Sequence, residues 1–148
     1  MKFRTLLTAA ILGLAGASLV HAADEPQKIR QEMMKKVGGS VGNMAKMVKG
    51  EEPFDAELVL ASLQTIAETL ETYPDQFPEG SETGFETEAK PAIWENKDDF
   101  RARAEKLQAD AATAAASAPA SLDELKTVFG PLTKNCGGCH ELYRVKKD

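Results

Sequence analysis

Aromatic residues make up only 6% of this 148-residue sequence, and Val and Ile are sparse beside Ala, Leu, Lys and Glu. Sandwiches and barrels draw on aromatic and β-branched side chains, so the composition argues for helices. Basic residues are in deficit: 18 Lys+Arg stand against 23 Asp+Glu, a formal net charge of −5. With no basic stripe to meet a phosphate backbone, nucleic-acid binding is not expected. There are two cysteines and two histidines. Beyond the first segment no apolar run reaches the ~20 residues that a bilayer-spanning helix needs. What remains, 43% apolar and 28% charged residues, suits one globular domain rather than a disordered chain.

The first segment reads as a signal rather than as part of the fold. Lys2 and Arg4 give a basic start, Leu6 to Val20 is apolar, and Val20-His21-Ala22 places small residues where cleavage is decided. Residues 1–22 are expected to be a cleaved signal peptide, with residues 23–148 as the mature domain. A retained N-terminal anchor is the alternative. Cleavage removes two bases and no acid, so the mature chain is more acidic still. It also removes His21 and leaves His140 as the one histidine. The expected product is exported, periplasmic and free of the membrane.

Four helical segments are legible. The first runs from about Pro26 to Val48, with Ile29, Met33, Val37, Val41, Met44 and Val48 recurring every three or four residues. Lys49-Gly50 closes it. The second spans about Asp55 to Thr72, with Leu58, Val59, Leu63, Ile66, Ala67 and Leu70 as its inward stripe, and Pro74 blocks its continuation. Residues 74–91, with Pro78, Gly80 and Gly84, read as a loop, in which Phe77 and Phe85 are expected to fold back as apolar plugs. The third helix is expected from about Ala92 to Ser117, directing Ile93, Trp94, Phe100, Ala104, Leu107 and Ala111 inward. Ser121-Leu122-Asp123-Glu124 reads as a capping box that opens a fourth helix to about Lys147. Pro131 lies inside that helix and is expected to kink it or tighten one turn. Four long helices with short connections predict an all-α, antiparallel four-helix bundle.

The chemistry is concentrated at Cys136-Gly137-Gly138-Cys139-His140, the C-x-x-C-H pattern of c-type haem attachment. Two thiols at this spacing can add across the two vinyl groups of one porphyrin edge, and the following histidine can then coordinate iron. Three other readings fit less well. A structural zinc site wants four ligands, and the mature chain supplies two cysteines and one histidine. A thioredoxin-like pair wants a βαβ setting, and no strands are legible. A plain disulfide leaves His140 unexplained. Covalent haem c with its iron is therefore the expected cofactor.

The sixth iron position is open to methionine, lysine, water or nothing, because the mature chain has no second histidine. Met33, Met44 and Met47 read as core residues of the first helix. Met34 lies about 100° round from Met33, at the rim of the stripe. Gly38, Gly39 and Gly42 follow it, and glycine inside a helix costs roughly 0.5–1 kcal/mol relative to alanine. A flat ring closely approaching the backbone beside Met34 would account for them; simple tolerance or a bend is the alternative.

Several stretches resemble the class II cytochromes c, the cytochrome c′ family and its low-spin, methionine-ligated relatives. Ile29-Arg30-Gln31-Glu32-Met33-Met34 resembles the family's first-helix R-Q stretch. Lys49-Gly50-Glu51-Glu52-Pro53-Phe54-Asp55 resembles its K-G-x-x-P-[Y/F]-D turn. Lys90-Pro91-Ala92-Ile93-Trp94 resembles the start of its third helix, and Cys139-His140-Glu141-Leu142-Tyr143-Arg144 resembles its C-H-x-x-[F/Y]-R ending. The resemblance implies a left-handed bundle with one haem between helices, thioethers to Cys136 and Cys139, and His140 as proximal ligand. It places Arg30 and Gln31 near the haem propionates and Arg144 close to the proximal histidine, one turn beyond it on the same helix face. Met34 falls on the distal position, where some members shield a five-coordinate iron and others bind it through methionine; the glycines and the acidic, proline-rich loop look more like the second branch.

Two functions follow as expectations. The first is a one-electron carrier with His140/Met34 ligation and an unidentified redox partner protein, whose docking surface the acidic chain would favour as basic. The alternative is a five-coordinate haem protein that binds nitric oxide or carbon monoxide. An enzyme such as a peroxidase is not expected, because no second histidine offers a distal acid or base. Monomer and homodimer are both compatible with the sequence.

Overall fold

A computed structural model describes residues 25–146 of the chain. The proposed signal peptide lies outside the described residues. The elements in order are α1 (Pro26–Lys49), α2 (Ala56–Thr72), a 3-10 turn (Tyr73–Gln76), α3 (Ala92–Glu95), α4 (Lys97–Ser117) and α5 (Leu122–Tyr143). The four long helices form the bundle. α2 packs most extensively on α4 and then on α1, while α5 closes against α4 and α1. Among the described residues no helix is long and apolar enough to cross a membrane.

The helix ends follow local chemistry. Pro26 opens α1, and Gly50 ends it in the left-handed region at φ 76°. The Gly50 N–H donates to Met47 O at 3.0 Å and the Glu51 N–H to Lys46 O at 2.9 Å, the two bonds of a Schellman motif. Asp55 caps α2 by accepting from the Leu58 N–H at 3.0 Å. Ser121 Oγ accepts from the Glu124 N–H at 3.3 Å, as the capping box predicts. The return bond is displaced by one residue: the Glu124 carboxylate accepts from Ala120 N–H, not from Ser121 N–H.

The expected third helix is two elements. Asn96 takes φ −132°, ψ 49° between α3 and α4. Its side chain donates to Ala92 O at 3.2 Å, so it competes with the helical ladder for a backbone acceptor. The fourth helix is also shorter than expected. It runs through Pro131 and stops at Tyr143, and Arg144 is extended, forming an isolated antiparallel bridge with Ala89. Lys90 N–H donates to Tyr143 O at 3.0 Å and Val145 N–H to Glu88 O at 2.7 Å. Residues 88–90 thus strap the end of α5.

Met44, Met47, Val59, Leu63, Ile66 and Leu125 are the largest fully buried side chains. Each such aliphatic group contributes about 1.5–3 kcal/mol relative to exposure. Ala104, Ala111 and Ala114 are buried on α4, where small side chains let neighbouring helices come close. Three sequence expectations change here. Leu58 is 39% exposed and Phe85 42% exposed. Lys28 Nζ lies 4.5 Å from the centre of the Phe85 ring, which serves as an outer cover and not a plug. On α1, Ile29 and Met33 are only partly buried, because the inward positions of the first turns are polar: Gln27 and Arg30. Phe77 does plug the core.

Ala118 ends α4 in the left-handed region, at φ 46° and ψ 66°. This conformation costs a non-glycine residue roughly 1–2 kcal/mol, and glycine's greater freedom in the unfolded chain offsets about 0.5–1 kcal/mol of that. Ala118→Gly is therefore expected to stabilise the fold by about 0.5–1 kcal/mol. Urea unfolding should show a higher midpoint with an unchanged slope. A lower midpoint would mean that the exposed Ala118 methyl contributes more than its backbone geometry costs.

Candidate haem site

A cleft of about 660 Å³ opens between α1, α4, α5 and the 73–91 segment. Its lining includes Met34, Val37, Gly38 and Val41 from α1, Phe100, Ala104 and Leu107 from α4, and Cys136, Cys139 and His140 from α5. Buried apolar side chains form two separate clusters beside it. Cys136 packs with the larger one, around Met44, Leu63 and Leu107, and Cys139 with the smaller one, around Phe77, Ile93, Phe100 and Tyr143. Tyr73 packs against both. Aromatic edges line up within the smaller cluster: Phe77 to Phe100 at 4.7 Å and Phe100 to Tyr143 at 5.3 Å between centroids.

The α-helical geometry continues through Gly137 and Gly138, so the whole C-x-x-C-H run is carried on α5. Desolvation raises the pKa of both thiols, which keeps them protonated, and no disulfide joins them. On the cleft wall, desolvation and then the nearby Arg144 guanidinium lower the pKa of His140. That favours the neutral imidazole, the form that binds metal.

All seven residues singled out in the sequence reach this cleft: Arg30, Gln31, Met34, Cys136, Cys139, His140 and Arg144. Three of them also hold the cleft together. Arg30 is 4% exposed. It donates to Ser81 Oγ at 3.1 Å, to Ser81 O at 3.0 Å and to Gln76 O at 3.5 Å. Its guanidinium also lies 4.6 Å from the Phe77 ring centre and 5.5 Å from that of Trp94. Burial lowers its pKa, yet a guanidinium remains charged. Gln31 Nε2 donates to Glu86 O at 2.7 Å. Arg144 is not on the helix face as the resemblance suggested: it stands beyond the last residue of α5, its N–H donating to His140 O and its Nε to Glu88 Oε2 at 2.6 Å.

The sequence reading missed Gln27 and Ser81. Gln27 is buried and donates to Ser81 O at 3.1 Å and to Thr83 O at 2.9 Å. Apolar periodicity has no signal for a polar residue buried against a loop. Of the three helix glycines, the cleft takes in Gly38 and neither Gly39 nor Gly42. A Cβ built on Gly38 meets nothing within 4 Å of the chain itself.

The donor set suits a haem. It comprises two half-buried thiols three positions apart on one helix, an imidazole directly after the second, a thioether from another helix, apolar and aromatic walls, and cations at Arg30 and Arg144 for carboxylates.

Comparison with known proteins agrees with this chemistry. The family model described as Cytochrome C' matches residues 25–144. The chain is 47% identical over 147 residues to cytochrome c-556 of Agrobacterium fabrum, covering 99% of each. It is 37% identical over 147 residues to cytochrome c′ of Rhodopseudomonas palustris, again covering 99% of each. The solved structure of the R. palustris cytochrome c′ superposes with a TM-score of 0.80 at 35% identity, covering 84% of this chain and 98% of that one. The chain thus belongs to the cytochrome c′ family of four-helix-bundle proteins, which bind one covalently attached haem c with its iron.

Proposed function

We propose that the protein is a periplasmic one-electron carrier whose haem c is held by thioethers to Cys136 and Cys139, with His140 and Met34 as the axial iron ligands. The observation that carries this reading is the selection among methionines. Four lie on α1, and Met34 alone lines the cleft that Cys136, Cys139 and His140 share, while Met44 and Met47 are buried in the core. Bound there, the haem supplies one-electron redox chemistry, and a thioether ligand favours its ferrous form. The chain's part is to hold ligands from α1 and α5 at fixed separation, so that oxidation state changes with little rearrangement. Val37, Val41, Leu70 and Leu107 keep water from the methionine side. Arg30, Gln31 and Arg144 serve the propionates, and burial of the Arg30 charge among neutral oxygens supports an anionic partner for it. Residues 1–22 act as the export signal and 23–148 as the mature domain, working as monomer or homodimer with a redox partner protein.

Three measurements test this. Met34→Leu conserves volume, so the fold should lose less than about 1.5 kcal/mol. Its absorption spectrum should move toward high spin, and carbon monoxide should bind far more readily, with Met33→Leu unchanged in both. An unaltered Met34→Leu spectrum would favour the alternative, a five-coordinate haem that binds small gases behind an apolar shield.

Cys136→Ala and Cys139→Ala should each leave haem held by a single thioether or lost, with holo-protein yield reduced severalfold as read by mass spectrometry. Complete double attachment in either variant is incompatible with the proposed linkage.

Gly38→Leu should lower haem incorporation, whereas Gly39→Leu, pointing elsewhere, should not. In haem-free protein Gly38→Ala should raise helix stability by roughly 0.5–1 kcal/mol. Equal incorporation in the two leucine variants would remove the close-approach explanation for Gly38.

A further inference from the structure

The last turn of α5 carries His140 but has little packing of its own. From residue 140 to 146 only Tyr143 is buried, at 6% exposure, while His140, Glu141, Leu142, Arg144, Val145 and Lys146 are exposed. The backbone of that single anchor is strapped by Lys90, whose N–H donates to Tyr143 O, and its side chain is held at two further points. Its ring meets Phe100 edge to face. Its hydroxyl donates to Asp99 Oδ2 at 2.5 Å. Asp99 lies in the first turn of α4, and the same oxygen accepts from Arg103 Nε at 2.6 Å. Hydrogen bonds from Arg103 and then Tyr143 hold the Asp99 carboxyl below the usual carboxylate range. The acceptor is therefore ionised and the bond charge-assisted, shorter and stronger than a neutral one. Asp99 itself does not line the cleft.

We propose that Asp99 is a positioning residue for the redox centre: through the Tyr143 hydroxyl it fixes the turn that presents His140 to the iron, and so sets the imidazole orientation and the reduction potential. This rests on the reading of His140 as axial ligand and is independent of Met34. An edge-to-face ring contact restrains distance but tolerates sliding, whereas a short hydrogen bond is directional. Groups one shell out from a metal orient its ligands and tune it. Tyr143 is one turn from His140 and packs beside Cys139, so displacement of its hydroxyl is passed to the turn bearing both.

The test uses covalently loaded protein carrying Tyr143→Phe, Asp99→Ala, both together, or Asp99→Asn. Tyr143→Phe keeps the ring and removes the hydroxyl. The two single changes should retain haem and each shift the reduction equilibrium constant in the same sense by about threefold, about 28 mV at 59 mV per tenfold for one electron. The ferric electron paramagnetic resonance spectrum should change with them. The double variant should match either single one, and Asp99→Asn, which keeps an acceptor oxygen, should shift less than half as far as Asp99→Ala. A silent Tyr143→Phe overturns the proposal. So does an additive double variant, which means that Asp99 acts without the Tyr143 hydroxyl, or a full shift in Asp99→Asn, which means that it acts by its charge. His140→Ala separates the two readings. An intact spectrum there would remove the ligand assignment itself, while a disrupted one beside a silent Tyr143→Phe would remove only the positioning role.

Discussion

The buried guanidinium of Arg30 is the interaction on which the cleft depends. The segment from Phe77 to Pro91 contains no helix or strand and cannot stabilise itself by a backbone ladder. Instead Arg30 reaches across to Ser81 and Gln76 while its face covers Phe77 and Trp94. Gln27 and Gln31 extend the attachment to Ser81, Thr83 and Glu86. Hydrogen bonds to a charged donor contribute about 1.5–3 kcal/mol each, and leaving the partners unpaired costs a similar amount. One face of one helix turn therefore fixes a fifteen-residue loop, counted from Phe77 to Pro91, and with it the wall formed by Glu86, Thr87, Glu88 and Ala89.

That wall in turn reaches α5. Glu88 and Lys90 hold the chain around Tyr143 to Val145 through backbone bonds, and Arg144 adds an ion pair to Glu88. The ion pair is partly exposed and contributes little by itself. The backbone bonds are directional and fix register. A helix from the start of the bundle, a loop from its middle and the end of its last helix thus meet around one cleft, with the apolar clusters on its two sides supplying the bulk of the cohesion.

The parts legible in the sequence were those written in local patterns. Helix stripes, Gly50, Asp55 and the Ser121 cap each declare themselves within a few residues, and C-x-x-C-H names its chemistry by spacing alone. Errors arose where tertiary partners outweighed local preference. Asn96 leaves helical geometry between α3 and α4, where its side-chain amide and its own N–H share the Ala92 carbonyl. The fourth helix ends at Tyr143 because its backbone finds a better partner in residues 88–90. Ile29 and Met33 fit an apolar period, but the bundle turns Arg30 and Gln27 inward because the loop needs donors there. No periodicity encodes that need. The resemblance named Arg30, Gln31 and Arg144, and it said nothing of their work in tethering the loop and strap.

The strap between Glu88 and Arg144 joins residues 56 apart in sequence. Contacts of such separation are entropically expensive to close and form slowly compared with the helices on either side. The turn bearing Cys139 and His140 immediately precedes that clasp. α4 and α5 can therefore form before the turn that carries the C-x-x-C-H run is clasped. Closing the clasp carries a larger entropic cost than forming either helix, and it gives the turn bearing Cys139 and His140 its tertiary support.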